Sequence, residues 1–292
     1  MKLLSVLIPS YQYPEGVDRI LSKFSSARPD QIEIIIGDDS TDAEVRSIVS
    51  RFQETNPGLV TYVRNFPPLG AAKNWNNLLD KAASKYVLMM HHDEFPLSKN
   101  WAHELLAQLS EKCCPDIILM PCSLVSEVND RTRIHLPQFI QTVVLKHFPS
   151  YLFRRNVIGP VSCLIVRREL YPRFDESLRW LIDVDMYWKL FSTGANFKIS
   201  KNLKIASIIN RFNSITTALS EHLVDIRHKE LDYLSQKYPH NSIWLTPRAH
   251  LMILFAESCC WGVFKLVYMF YSSILGLFKK KHVKPFSEVG NI

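Results

Sequence analysis

Four short, largely apolar runs, Leu3 to Ile8, Ile32 to Ile36, Val60 to Val63 and Tyr86 to Met90, alternate with stretches of helical spacing, and this alternation leaves the chain few architectures. Between the first two runs Val17, Ile20, Leu21 and Phe24 recur at the three-and-four spacing of one helix face. Ala43 to Phe52 also reads as a helix, with Thr41 or Asp42 as its expected N-cap. Leu69 to Lys85 is a third, with Ala71, Ala72, Trp75, Leu78, Leu79 and Ala82 on its inward side. Strands alternating with helices predict an α/β fold, a Rossmann-like, mostly parallel sheet with short right-handed crossovers. Parallel strands point the same way, so Pro9-Ser10-Tyr11, Asp38-Asp39 and His91-His92-Asp93-Glu94 are expected along one sheet edge. Open α/β sheets bind ligands at that edge.

The second half is less regular. Ser98 to Lys112 reads as a helix, Ile117 to Met120 as a strand and the polar stretch Glu127 to Arg133 as a loop or hairpin. Val161 to Val166 reads as a strand, Trp180 to Phe191 as a helix stopping at Thr193-Gly194, and Ile205 to Ile209 as a late strand.

The acidic strand end at 91–94 has two readings. Asp93 and Glu94, with His91 and His92 beside them, offer oxygen and nitrogen ligands to Mg²⁺ or Mn²⁺. The four residues also suit a plain solvated turn. Convergence of Asp38-Asp39 and Asp93-Glu94 on one crevice favours the cation, because facing carboxylates repel unless a cation or a donor-rich ligand lies between them.

A chain of 292 residues, 47% hydrophobic, is long enough for one large α/β domain with an appendage. The net charge of +7 suggests an acidic partner. The basic residues are scattered or gathered at the tail, no nucleic-acid module is visible, and nucleic acid is not expected as that partner. Six cysteines without a Cys-x-x-Cys exclude zinc-ribbon and redox motifs and predict free thiols. Met1-Lys2 leads directly into the first apolar run with no signal-peptide pattern, so a cytoplasmic chain is expected.

Taken in order, five pieces resemble the inverting GT-A glycosyltransferases of family 2, of the kind that builds O-antigen or capsule polysaccharide. They are Ser5 to Tyr11, Glu33 to Asp42, Leu69 to Asn74, the Asp93 cluster, and Phe174 to Leu178 followed by Asp183-Val184-Asp185. The resemblance covers roughly residues 3–216 and implies a GT-A domain over 1–216, with a nucleotide-sugar-binding half at 1–97 and an acceptor-binding half at 98–216. It implies that Pro9, Tyr11, Asp38 and Asp39 bind the nucleoside of a UDP-, dTDP- or GDP-linked sugar. It further implies that Asp93, with His91, holds a divalent cation (Mn²⁺ or Mg²⁺), and that Asp183 is the general base for the acceptor hydroxyl. Lys73 and Arg211 are candidates for the diphosphate. Two positions depart from the family pattern: His91 stands where an Asp is usual, and Ile182 stands where an acid commonly precedes the base. Those departures leave open a catalytically silent nucleotide-sugar-binding or assembly scaffold of the same fold.

Residues 217–292 are expected to form a helical C-terminal region. Leu251 to Phe278 is nearly all apolar and is followed by Lys279-Lys280-Lys281-His282 and Lys284. Ser258, Lys265 and Ser272 make one narrow polar stripe. The segment suits a helix lying on anionic lipid through 251–284, a helix packed on protein, or a span made costly by Lys265. By resemblance to tailed family members, the acceptor is a lipid-linked saccharide and the enzyme is peripheral on the inner face of the cell membrane.

Overall fold

The structure, a computed structural model, describes residues 2–98, 100–126, 132–134, 138–209 and 222–239. The chain divides into two compact units, 1–244 and 245–292. The second unit lies outside the described residues, and the apolar segment 251–278 lies with it. Among the described residues no helix is long and apolar enough to cross a membrane.

The first unit begins as the alternation predicts. Strand β1 (Leu4–Ser10) is followed by helix α1 (Pro14–Ser22), β2 (Ile32–Asp38), α2 (Glu44–Thr55), β3 (Val60–Arg64), α3 (Ala71–Lys81) and β4 (Tyr86–Met89). All seven residues of β1 and all four of β4 are buried, as strands covered on both faces must be. Pro14 opens α1 with its φ already helical, and Val17, Ile20 and Leu21 form its buried stripe. Gly70 precedes α3 at φ +79°, a left-handed conformation that starts the helix at Ala71 rather than at Leu69. The start of α2 also differs from expectation: its N-cap position is Ala43, and Asp42 Oδ1 accepts from the Glu44 N–H (3.0 Å).

Beyond β4 come β5 (Glu94–Pro96), α4 (Trp101–Leu109), β6 (Ile117–Leu119), β7 (Cys122–Ser126), β8 (Thr132–Ile134) and α5 (Gln138–His147). They are followed by β9 (Leu164–Arg167), α6 (Ile182–Ser192), β10 (Phe197–Ile199), β11 (Ile205–Ile209) and α7 (Leu223–Lys237). Helix α7 belongs to the first compact unit.

Seven strands form one sheet in the order β10-β6-β9-β4-β1-β2-β3. Neighbours run parallel except at β9, which is antiparallel to both β4 and β6. The expected strand from Val161 starts only at Leu164, because residues 161–163 form a 3₁₀ turn. There the Ser162 hydroxyl serves the β4 end, accepting from the His91 N–H (3.0 Å). A second sheet, in the order β5-β11-β7-β8, starts where the first stops. Glu94 is the first residue of β5, and Asp93 C=O accepts from the Ile208 N–H of β11 (3.0 Å).

From β1 the chain steps outward through β2 and β3, then returns to add β4 on the other side of β1. The carboxyl ends of β1 and β4 therefore splay at a topological switch point, the usual place for a ligand crevice in such a sheet.

Candidate active site

A cleft of about 920 Å³ opens at that switch point. The first half of the chain lines it with Pro9, Tyr11, Asp39, Trp75, His91, Asp93 and Glu94, and the second half with Asn156, Arg179, Trp180 and Asp183.

Tyr11 stands at the rim with its side chain half exposed, and its N–H donates to His92 Nδ1 (3.3 Å). The next residue, Gln12, adopts φ +47°, turning the chain sharply off β1. Asp39 is only 5% exposed, and its carboxylate is already engaged. Oδ1 accepts from Asn65 Nδ2 (2.8 Å) and the Leu69 N–H (3.2 Å), and Oδ2 accepts from the Gly70 N–H (2.9 Å). Asn65 Nδ2 also reaches Asn74 Oδ1 (3.0 Å), while Asn74 Nδ2 donates to Gly37 C=O (2.8 Å). This buried network rigidifies the end of β2 and the turn into α3. Asp38 is turned away from the cleft, fully buried, accepting from the Tyr62 hydroxyl (2.6 Å) and the Ser40 N–H (2.9 Å).

At the end of β4, His91, Asp93 and Glu94 present ligand atoms within 4.8 Å of one another. Burial and the neighbouring Asp93 push the Glu94 carboxyl well above the usual range, while the Ser162 hydroxyl donates to it. Burial holds the His91 imidazole down at about 4, so it is neutral at pH 7 and keeps a lone pair for a ligand. His91 Nε2 is buried without a hydrogen-bond partner, and the ring lies on Trp75 at 4.5 Å between centroids. A neutral imidazole whose ligand atom lies within 4.8 Å of those of two carboxylates is a donor set that a divalent cation fits.

The loop holding these groups packs directly on α1. A Cβ on Gly16 would lie 2.0 Å from the His92 carbonyl oxygen. Gly16→Ala is therefore expected to displace the 91–94 loop and to cost about 1–3 kcal/mol of stability, measured by denaturant unfolding.

Asp183 sits in the first turn of α6, partly open to the cleft. Burial raises its carboxyl to about 7. Oδ2 accepts from Asn156 Nδ2 (2.9 Å) and Oδ1 from the Val184 N–H (2.8 Å). Asn156 is itself fixed, since its Oδ1 accepts from the Ile158 and Gly159 N–H groups (3.0 Å each). Asp185, two residues on, points into the protein, where it is fully buried and paired with Lys189 (2.6 Å) and Lys237 (3.2 Å).

The cleft thus brings together Pro9, Tyr11, Asp39, His91, Asp93 and Asp183 of the residues singled out in the sequence. It does not include Asp38 or Lys73. Lys73 is exposed on the outer side of α3 and borders a separate shallow hollow with Arg64 and Arg173. Arg211 lies outside the described residues. Sequence reasoning missed Asn156 and Arg179, which sit on irregular segments without a periodic signal, and Ser162 and Trp180, which it placed inside an expected strand and helix where the structure has a 3₁₀ turn and the approach to α6. Asn74 and Asn76 were missed for another reason: a helical pattern read from apolar residues alone leaves two buried asparagines invisible. Asn76 bonds Phe174 through both backbone groups (3.0 Å each), pinning the segment that leads to Asp183.

Residues 5–172 match the family model described as "Glycosyl transferase family 2". An uncharacterized glycosyltransferase of Haemophilus influenzae is 22% identical over 244 residues, covering 81% of this chain and 77% of the relative. Among solved structures, S. aureus TarS in complex with UDP-GlcNAc superposes with a TM-score of 0.58 at 19% identity. That match covers 74% of this chain, which spans only 61% of the length of that solved protein. The mannosyltransferase PcManGT of Pyrobaculum calidifontis, in complex with GDP-Man and Mn²⁺, gives a TM-score of 0.53 at 18% identity, covering 94% of this chain and 81% of that one. At these identities the likeness to solved structures is one of fold.

Proposed function

The chain belongs to glycosyl transferase family 2, and from that premise we propose that it moves a sugar from a nucleotide-sugar donor to a saccharide acceptor with inversion at the anomeric carbon. The observation that carries this reading is one cleft holding both a cation-type donor set and, on another element, a carboxylate whose pKa is raised to about 7.

Tyr11 and Pro9 take the nucleobase, and Asp39, prefixed by its three donors, accepts from a base or ribose donor with its remaining lone pairs. Asp93 would hold a divalent cation with His91 and Glu94, and such a cation would supply positive charge against the departing nucleoside diphosphate. Asp183 takes the proton from the acceptor hydroxyl as that oxygen attacks the anomeric carbon opposite the leaving group. One displacement inverts the centre. A base near pH 7 is suited to this step, being ionised in a useful fraction while still accepting a proton readily.

The acceptor in this reading is a saccharide on a lipid diphosphate, and the setting is surface polysaccharide synthesis, of O-antigen or capsule type, at the inner face of the cell membrane. Its support is chemical. Arg154, Arg179 and Arg227 line the same cleft as Asp183, and guanidinium groups suit phosphate. The apolar, lysine-ended segment 251–284 has the composition of a membrane-surface anchor.

Calorimetric titration of the detergent-solubilised full chain with UDP, dTDP and GDP, with and without Mn²⁺, tests the donor reading. One nucleotide is expected to bind roughly tenfold or more tightly with Mn²⁺. Binding of none of the three under either condition overturns it.

A further inference from the structure

Helix α7 lies beyond the matched family segment, and its buried face carries an acid. Glu230 is 7% exposed, and a carboxylate so placed needs hydrogen-bond donors. Three successive main-chain N–H groups supply them. Arg179 N–H donates to Oε1 (2.6 Å), Trp180 N–H to both oxygens (3.2 and 3.1 Å) and Leu181 N–H to Oε2 (2.8 Å). These residues immediately precede α6, with Leu181 at its N-cap position, so Glu230 holds from a distant helix the main chain that leads into the first turn. No side chain caps α6 at Leu181 itself.

The same helix grips the other loop that meets Asp183. Arg227 Nη2, nearly one turn before Glu230, donates to the carbonyls of Phe153 and Arg154 (3.2 Å each). That loop runs into Asn156, which holds Asp183 Oδ2. Lys237, two turns after Glu230, joins Asp175 and Asp185 on either side of Asp183.

We propose that Glu230 is a positioning residue for Asp183: by fixing residues 179–181 it sets where α6 begins, and with it where the Asp183 carboxylate stands in the cleft. This deepens the reading of Asp183 as the base and rests on it. The geometry has an electrostatic corollary. The charged and titratable groups that act on Asp183 are Glu230 from α7 and Tyr187 from α6, while Arg227, Arg154, Arg179 and Asp93 line the same cleft. Of these the Glu230 charge adds to the effect of burial in raising the Asp183 carboxyl.

The test uses full-length protein labelled with ¹³C at aspartate carboxyls, the Asp183 signal being assigned by its loss in Asp183→Asn. In the wild type the Asp183 carboxyl is expected to titrate near 7. Glu230→Gln keeps the shape but removes the charge and one acceptor oxygen, so the midpoint is expected to fall by about half a unit or more, and exchange of the 179–181 amides to accelerate roughly tenfold. Glu230→Asp keeps the charge but retracts it, so exchange accelerates while the midpoint moves less than in the Gln variant. Equal midpoints in the wild type and the Gln and Asp variants overturn the proposal, whatever happens to the melting temperature, because a merely structural brace would alter stability alone. Where UDP-GlcNAc or GDP-mannose is turned over, Glu230→Gln is expected to lower kcat about tenfold with donor KM within about twofold. The carboxyl titration needs no turnover, so failure of the glycosyltransferase reading and failure of this proposal are separable.

Discussion

Asp183→Asn is expected to reduce sugar transfer by a factor of about 10³ while leaving nucleotide affinity within about twofold. The amide keeps the size of the side chain and a contact to Asn156, so the first turn of α6 is retained. What it removes is the proton acceptor. The pH dependence follows from the same group. A carboxyl near 7 must be ionised to act, so kcat/KM of the wild type is expected to rise with pH through an acid limb close to 7. Stability runs the other way. The pKa in the folded chain is raised above its unfolded value, so the folded state binds the extra proton between the two values. The stability this carboxyl contributes is present at low pH and lost as pH rises through about 7. Asp183→Asn, which cannot ionise, is therefore expected to gain in melting temperature relative to wild type as pH goes from 6 to 8. A wild-type acid limb near the ordinary aspartate value, or substantial transfer by the Asn variant, would remove Asp183 from the role.

Asp93→Asn is expected to lower Mn²⁺-dependent nucleotide affinity about 100-fold. Of its two partners, His91 is neutral at working pH and Glu94 is buried, bonded to Ser162 and pushed toward its protonated form. Asp93 is thus the group on which most of the negative charge in the set depends, and losing it leaves the cation with little Coulombic attraction. Paramagnetic resonance of Mn²⁺ with and without UDP or GDP measures the loss directly. Retention of metal-dependent binding would move the cation site away from the end of β4.

How much of this was legible depended on how local its causes are. The β1–α1–β2–α2–β3–α3–β4 half is written in period and length, and the carboxyl ends of its strands gave Tyr11, Asp39 and Asp93 directly. Asp38 and Lys73 show where that reasoning stops. Adjacent residues at a strand end point to opposite faces, so only one of the Asp38-Asp39 pair turns to the cleft, and the sequence does not say which. Lys73 is next to buried Asn74 on a helix, where one residue's step is enough to turn a side chain outward. The second half is held by partners remote in sequence. The start of α6 is set by Glu230, and His91 and Glu94 are braced by Ser162 on a 3₁₀ turn. No local pattern encodes either.

The antiparallel strand β9 also has a consequence for synthesis on the ribosome. When β4 has emerged, the β3-β2-β1-β4 sheet has all its strands, but the outer edge of β4 lacks its neighbour until Leu164–Arg167 arrive. From Met89 to Leu164 is 164 − 89 = 75 residues, about 4–15 s of elongation. Throughout that window a nascent chain offers an unpaired, wholly apolar strand edge, Tyr86 to Met89, of the kind that pairs with other chains. Expression of fragments ending before residue 164 is thereby a poor route to the nucleotide-binding half, and the growing chain is expected to occupy chaperones over this interval.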